Sequence, residues 1–361
     1  MQEYLKMKRF FYEAFGIEEC QTAAMEQALW AWFRLYYGKN LLALPYTIGR
    51  KMDRAVFAEY QVSGPELPEL RPALEQAMVG GECYLKPCRE AEDFRWVRIP
   101  RNRILIFARD EGGHPTDVGF MAQSKEGKDR FTLLERRIRD GEGHLLICNR
   151  LFRSRNMTEL GREIPLDTKY PELLPRFTYE GIPGVGLVEL KMPMVNCIDG
   201  SPDGVSVYAA AAELIRAAEE NEAQLRREFQ NGASRLVVSR DLLREGQLRD
   251  DLFVALDEAP ETVGITVFSP ALRQESYLQR QQSYLRAIEN VVGLKRGLLS
   301  QVEAVDRTAT EITSSEGEYM TTILELRRVA EEGLQQAARL TAALEGREPE
   351  EISVHWGDNV V

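Results

Sequence analysis

The stretch Thr308–Gly346, TATEITSSEGEYMTTILELRRVAEEGLQQAARLTAALEG, decides the architecture. Its apolar residues Ile312, Tyr319, Ile323, Leu326, Ala330, Leu334, Ala337, Leu340 and Leu344 recur at mostly helical spacing and form one seam. Thr308-Ala-Thr-Glu311 has the form of a capping box, in which the first hydroxyl and the fourth side chain satisfy each other's free N–H groups. Gly346 supplies the stop. The predicted helix, residues 308–346, has roughly 38 residues and is about 57 Å long at ~1.5 Å per residue. No small neighbouring insert can cover that length. The helix therefore either crosses another part of the same chain or packs against other copies. Its alanines and Gly333 favour tight side-by-side contact over a free two-stranded coiled coil.

Working back from this helix, Leu272 to Leu299 is predicted as a second one, with Leu278, Leu285, Ile288 and Val292 as its seam. Ser269-Pro270 gives it an N-cap and first-turn pair. A third, from Val205 to Phe229, carries the stripe Tyr208, Ala211, Ile215, Ala218, Leu225 and Phe229, and Asn231-Gly232 stops it. The two have opposite charge, −2 for the earlier and +3 for the later, which suits packing against each other. A compact mixed insert, residues 233–268, lies between them. Arg235–Ser239 and Val263–Phe268 are its expected strands, with a polar, acidic segment between.

The first eighty residues read as helical. Met25, Leu29, Trp32, Phe33 and Tyr36 share a face; Pro45 opens a helix with Ile48, Met52, Val56 and Phe57 inward; a further helix over Leu67–Met78 ends at Gly80-Gly81. From Glu82 to Phe152 the period changes to two. Segments near Cys83–Pro87, Arg95–Ile99, Ile104–Ala108, Val118–Gln123, Arg130–Arg139 and His144–Leu151 read as an antiparallel meander, the later ones joined by polar, glycine-bearing turns. The charges of Arg130–Arg139 are expected on a solvated sheet face. Residues 153–200 read as irregular. Gly181-Ile-Pro-Gly184-Val-Gly186 lacks the ending of a phosphate loop and is expected to be a plain loop. The fold class is α+β.

Bulk properties narrow the function. The chain has 361 residues, 44% hydrophobic and 29% charged, with net charge −11. That balance argues against gripping nucleic acid by phosphate neutralisation. The opening MQEYLKMKRFFYEAF mixes charges into its apolar pattern, so it reads as an amphipathic helix and not a leader, with cytoplasmic residence and no membrane partner expected. Cys20, Cys83, Cys88, Cys148 and Cys197 are odd in number and scattered, and His114, His144 and His355 are far apart in sequence. Free thiols and no metal site are expected. No nucleotide loop, GxSxG, HExxH or dinucleotide fingerprint occurs. Asp199, Asp203, Asp250 and Asp251 lie in turn-like contexts, where they cap backbone more often than they bind metal. No catalytic, cofactor-binding or metal residue is assigned.

Three stretches together resemble the portal proteins of tailed bacteriophages, of the type found in siphophages of Gram-positive hosts. KMPMVNCIDGSPDGVSVYA, Lys191–Ala209, is similar to the family's entry into its first stem helix, although Asp203 stands where an apolar residue is common. RTATEITSSE, Arg307–Glu316, resembles the TATEV segment that opens the family's long helix. RFTLLE, Arg130–Glu135, with LICNRLF, Leu146–Phe152, resembles two strands of its wing. The three occur in the family's order and span most of the chain.

The resemblance implies a helical and antiparallel-β wing over residues 1–200, a first stem helix over 201–232, a small α/β clip over 233–269 and a second stem helix over 270–297. It further implies a tunnel loop over 298–307, a long helix over 308–346 directed through the wing towards a crown, and a segment 347–361 with the crown absent or minimal. The implied function is a ring subunit, commonly one of twelve, at one capsid vertex of the virion, assembled in the host cytoplasm. The implied partners are other copies, double-stranded DNA passing through the channel, the terminase large subunit, a head-tail adaptor protein, and major capsid and scaffold proteins. Lys295, Arg296 and Arg307 flank the implied tunnel loop and are the candidate DNA-channel contacts. The competing readings are a phage structural or adaptor protein without a channel, and an enzyme of unrecognised type.

Overall fold

The computed structural model describes residues 2–20, 22–36, 42–64, 67–90, 93–232, 235–239, 253–256, 265–268, 271–301 and 309–356. The fold is mixed, with helices and mainly antiparallel sheets, as the α+β reading expected. In chain order come α1 (Gln2–Phe15), α2 (Ala23–Tyr36), α3 (Leu44–Val56), β1 (Gln61–Ser63) and α4 (Leu70–Gly80). Strands follow: β2 (Glu82–Glu90), β3 (Asp93–Pro100), β4 (Leu105–Arg109), β5 (Pro115–Glu126), β6 (Asp129–Arg139), β7 (Leu145–Ser154), β8 (Arg162–Ile164), β9 (Arg176–Tyr179) and β10 (Val188–Lys191). Then come α5 (Ala212–Asn231), β11 (Arg235–Ser239), β12 (Phe253–Leu256), β13 (Ile265–Phe268), α6 (Gln274–Val292), α7 (Ala309–Glu345) and β14 (Ser353–His355).

The helix that decided the reading lies across the body of its own chain. α7 packs on β10, α3 and α4, and Tyr319, Ile323, Leu326, Ala330, Leu334, Ala337 and Leu340 are all buried. At that crossing Gly333 leaves room for Leu190, whose Cδ2 would stand 2.5 Å from a Cβ there. At the far end Gly346 takes φ +67, the left-handed conformation that terminates a helix without side-chain strain. Thr308 of the capping box lies outside the described residues.

Of the six strands expected in one meander, the last four lie in a sheet of order β4-β5-β6-β7-β8, with β9 also pairing with β7, while the first two, β2 and β3, belong to a separate sheet. α1 packs on it through Phe10 and Phe11, in one cluster with Leu105, Leu134 and Phe152. Gly119 lets Phe11 approach; a Cβ there would collide with its ring. A second sheet, β10-β2-β3, joins the main core.

Several expectations need correction. Residues 153–200 are not irregular throughout, since β8, β9 and β10 each find a partner strand. Short three-residue and four-residue strands carry too little periodicity to be read. β6 is not a solvated face: Arg137 is buried, and Glu135 accepts hydrogen bonds from Arg137 Nε (2.7 Å) and from Lys86. Burial alone would raise the Glu135 carboxyl, but the Arg137 and Lys86 charges bring it down to about 2.

The insert holds a third strand, β12, parallel to β11, where only a polar acidic segment was expected. α5 begins at Ala212 and not Val205, because Val205–Tyr208 lies flat in the core, with Val207 N donating to Met78 O and the Tyr208 hydroxyl to Val79 O. α6 ends at Val292, seven residues before Leu299, where Gly293 turns left-handed at φ +72. Met25 and Leu29 of α2 are buried as expected, while the side chains of Trp32, Phe33 and Tyr36 lie outside those described. Among the described residues, no helix is long and apolar enough to cross a membrane.

Candidate nucleic-acid contact site

α5 and α6 run side by side away from the core. Asn221 Nδ2 donates to Gln281 Oε1 (2.9 Å) and to Tyr277 O (3.0 Å), a buried polar rung between them. Further out, Arg273, which precedes α6, forks onto Glu228 of α5 at 2.8 and 3.1 Å. The expected charge contrast between the helices shrinks, because Arg273, Lys295 and Arg296 lie outside α6, which is left with Arg280 and Arg286 against Glu275 and Glu289.

The chain leaves α6 through a turn built around one carboxylate. Glu289 is fully buried. Its Oε1 accepts from the main-chain N–H groups of Gly297 (3.1 Å), Leu299 (2.6 Å) and Ser300 (2.8 Å), and its Oε2 from the Ser300 hydroxyl (2.7 Å). Gln282 Oε1 takes the N–H of Gln301 at 2.7 Å. The turn therefore wraps a side chain that stays in α6, and three backbone donors that would otherwise be buried unpaired are satisfied. Leu294 plugs the turn into the core, and Gly293 sits so close to Thr322 of α7 that a Cβ would lie 2.8 Å from its hydroxyl.

Lys295 and Arg296 stand on this turn, not on the helix to which their spacing assigned them. Lys295 is half-buried and Arg296 exposed. Arg307 lies outside the described residues, as does most of the expected tunnel loop. Two of the three predicted cations therefore stand on the same turn.

Behind the start of α5 lies a buried charge network that no linear motif announces. Glu82 is fully buried. It accepts from Arg109 Nη2 at 2.8 and 2.9 Å, from the Tyr84 hydroxyl at 2.6 Å and from Gly204 N at 2.5 Å. Asp203 accepts from Arg109 (2.7 Å) and from the Thr22 hydroxyl (2.5 Å), with Arg101 at 3.9 Å. Glu19 takes Arg101 at 3.2 Å and the Ile106 N–H at 2.8 Å. Burial opposes ionisation of Asp203, yet Arg101, Thr22 and Arg109 hold its carboxyl below the usual range. For Glu19 burial prevails over Arg101 and the carboxyl is raised. Here Gly81 and Gly204 pass with their backbones touching, and a Cβ on Gly81 would strike the Gly204 carbonyl.

The network joins the α1–α2 connection, β2, β4 and the segment that enters α5. Two arginines, with main-chain and hydroxyl donors, answer its three acids, and Glu19 Oε2 is left buried with no hydrogen-bond partner among the described residues. Asp199 behaves as its turn context suggested. It accepts from Ser201 N (3.0 Å) and Ala24 N (2.9 Å), contacts that with Asn196 hold its carboxyl low against burial. Cys83 is buried, which pushes its thiol up to about 12 and makes it a poor nucleophile. Among the described residues, no group of three or more His, Cys, Asp or Glu side chains could hold a metal ion.

Sequence reasoning missed Glu289 and the Glu82–Arg109–Asp203 cluster. A signal was present for the first: Glu289 follows Ile288 within the seam of α6. Asp203, between Pro202 and Gly204, reads only as a turn residue. No protein-family model matches the chain, and no curated protein matches it.

Proposed function

We propose that the chain is a portal-ring subunit of a tailed phage, one of about twelve copies that enclose a channel for double-stranded DNA at one capsid vertex. The supporting observation is the passage from the paired helices α5 and α6, which carry the β11–β13 sheet at their far end, through the Glu289-held turn, to a helix that returns through the body. In this reading the body is the wing, α5 and α6 the stem, the β11–β13 sheet the clip that docks the terminase large subunit and the head-tail adaptor, and residues 298–307 the tunnel loop. Scaffold and major capsid proteins are the assembly partners, and the chain is not an enzyme. Lys295 and Arg296, with Arg307, brush passing phosphates, while the net charge of −11 keeps the wall from holding them.

Native mass measurement and negative-stain imaging, with and without the scaffold protein, test this. Rings with a central pore are expected. A monodisperse monomer under both conditions, or class averages of an assembly without a pore, overturns it. Normal packaging by a Lys295→Ala, Arg296→Ala, Arg307→Ala triple variant removes the phosphate role from those three residues.

A further inference from the structure

One end of the β4–β8 sheet collects positive charge. Residues 124–131, around the β5–β6 turn, and residues 150–169, around β8, together carry eight basic side chains against five acidic ones, on a chain of net charge −11. The strand register opposes like charges there. Lys125 stands opposite Arg130 across β5 and β6, and in the next row Arg153 stands opposite Arg162 across β7 and β8. Successive rows face opposite sides of a sheet, so one cation pair lies on each face. Such direct opposition costs a sheet stability unless something answers the charge.

The chain itself does not answer it. Glu126 is taken by Lys169, and Glu163 by Arg150. That leaves Asp129, Glu159 and Asp167 against six cations. Among the described residues, none of Lys125, Arg130, Arg153, Arg155 and Arg162 forms an ion pair, and Arg130 Nη1 is buried with no hydrogen-bond partner. Arg153, Arg155 and Arg162 are all exposed. The loop between β7 and β8 fixes their places. Asn156 N donates to Ser154 Oγ (3.0 Å), Thr158 N to Asn156 Oδ1 (3.0 Å) and Arg9 to Thr158 O. Gly161, at φ +80, passes so close to β7 that a Cβ would stand 2.3 Å from Arg153 O, and this brings Arg162 in beside Arg153.

We propose that Arg153, Arg155 and Arg162, supported by Lys125 and Arg130 from the other face, bind successive backbone phosphates of duplex DNA laid across this end of the sheet. The exposed guanidinium groups fork onto phosphate oxygens by charge-assisted hydrogen bonds. Charge without an apolar anchor suffices for a backbone that is charged at every nucleotide. A protein partner draws most of its affinity from buried anchors instead, and the exposed large apolar side chain at this end of the sheet is Met157, at a single position. The acidic remainder of the chain opposes the contact, so it is local and sensitive to salt. The site is independent of the channel reading, since it uses no residue of α5, α6 or the turn after it.

The test uses the full chain and a fluorescently labelled duplex oligonucleotide, followed by anisotropy over a series of salt concentrations. Binding whose logarithm falls linearly with the logarithm of salt concentration is expected. The Arg153→Ala, Arg155→Ala, Arg162→Ala triple variant, its circular dichroism unchanged, should bind at least about tenfold more weakly at low salt, with a slope smaller by about two to three. Arg155→Ala by itself, which touches neither opposed pair, should reduce the slope by about one. No salt-dependent binding overturns the proposal. So does binding that the alanine triple variant retains in full; if the Lys295→Ala, Arg296→Ala, Arg307→Ala variant then loses it, the contact lies at the turn after α6 and the channel reading stands. Displacement of the duplex by polyglutamate at equal charge marks an unselective cationic surface and overturns the proposal. Displacement by inorganic phosphate at equal phosphate concentration marks a single-anion site and overturns it too.

Discussion

α7 and the paired helices α5 and α6 are amphipathic to similar eyes, yet they meet opposite fates in the fold. α7 lays nearly its whole described seam into its own chain, from Tyr319 to Leu340. α5 and α6 bury mainly their proximal parts, around Ile215, Ala218, Ile288 and Val292, with Leu225 the outermost buried apolar residue of α5. Beyond the Asn221–Gln281 rung, Phe229, Leu272 and Leu278 remain 44%, 41% and 46% exposed. The body exposes apolar side chains too, among them Leu5, Leu174 and Phe177. In the proposed ring, the distal apolar positions of the helix pair pack on neighbouring copies.

The sharpest way to break this contrast is to attack what ties the projection to the body. Asp203→Ala leaves Arg101 and Arg109 buried without one of their acids, so a loss of about 3–5 kcal/mol is expected in urea unfolding. The sign of its pH dependence follows from the lowered carboxyl. Its stabilisation is fully present above the ordinary aspartate value and is lost as pH falls through the lowered one. Asp203→Asn should therefore show a shallower loss on the acid side than the parent chain. Equal acid profiles for the two would remove Asp203 from the link.

A smaller and more local effect is expected at the turn. Glu289→Ala removes one acceptor set for four donors, and the cost is about 2–3 kcal/mol, confined to the turn. Amide exchange at Gly297, Leu299 and Ser300 should speed up by about tenfold to a hundredfold, with β5, β6 and β7 unchanged. Ser300→Ala, which removes only the hydroxyl bond, should fall between variant and parent. If exchange at the three amides stays slow in Glu289→Ala, Leu294 and the contact with Thr322 hold the turn, and the carboxylate does not.

The contrast also separates what was legible in sequence from what was not. The seam of α7, its glycine stop, the meander and the existence of two helices around an insert all follow from periodicity and turn residues. The start of α5 and the end of α6 did not, because tertiary contact decides them. Val205 and Val207 are apolar enough for helix, but Val207 N is taken by Met78 O and the Tyr208 hydroxyl by Val79 O, and Gly293 stops α6 although Leu294 and Leu298 continue its apolar pattern. The three short strands after Ser154 exist because β7 and β2 offer edges to pair with. Of the candidate site, Lys295 and Arg296 were found by position in the chain, whereas the residue that places them, Glu289, counted in sequence only as one negative charge. A buried carboxylate looks like a surface one until its donors, eight to eleven residues on, are seen to fold back.

The smallest expected effect bears most directly on the contrast. Leu326 and Leu278 are both seam leucines, one buried and one 46% exposed. Leu326→Ala should cost about 2–5 kcal/mol, the usual range for a cavity in a packed core. Leu278→Ser should change the stability of the monomer by no more than about 0.5 kcal/mol, since little apolar contact is lost within the chain. Its effect should appear in association instead, as a shift towards smaller species in sedimentation at matched concentration. A monomer strongly destabilised by Leu278→Ser means that the projection is already packed within its own chain. An unchanged monomer with unchanged association means that Leu278 faces solvent in the assembly too, and the interface must then run through other residues of the pair.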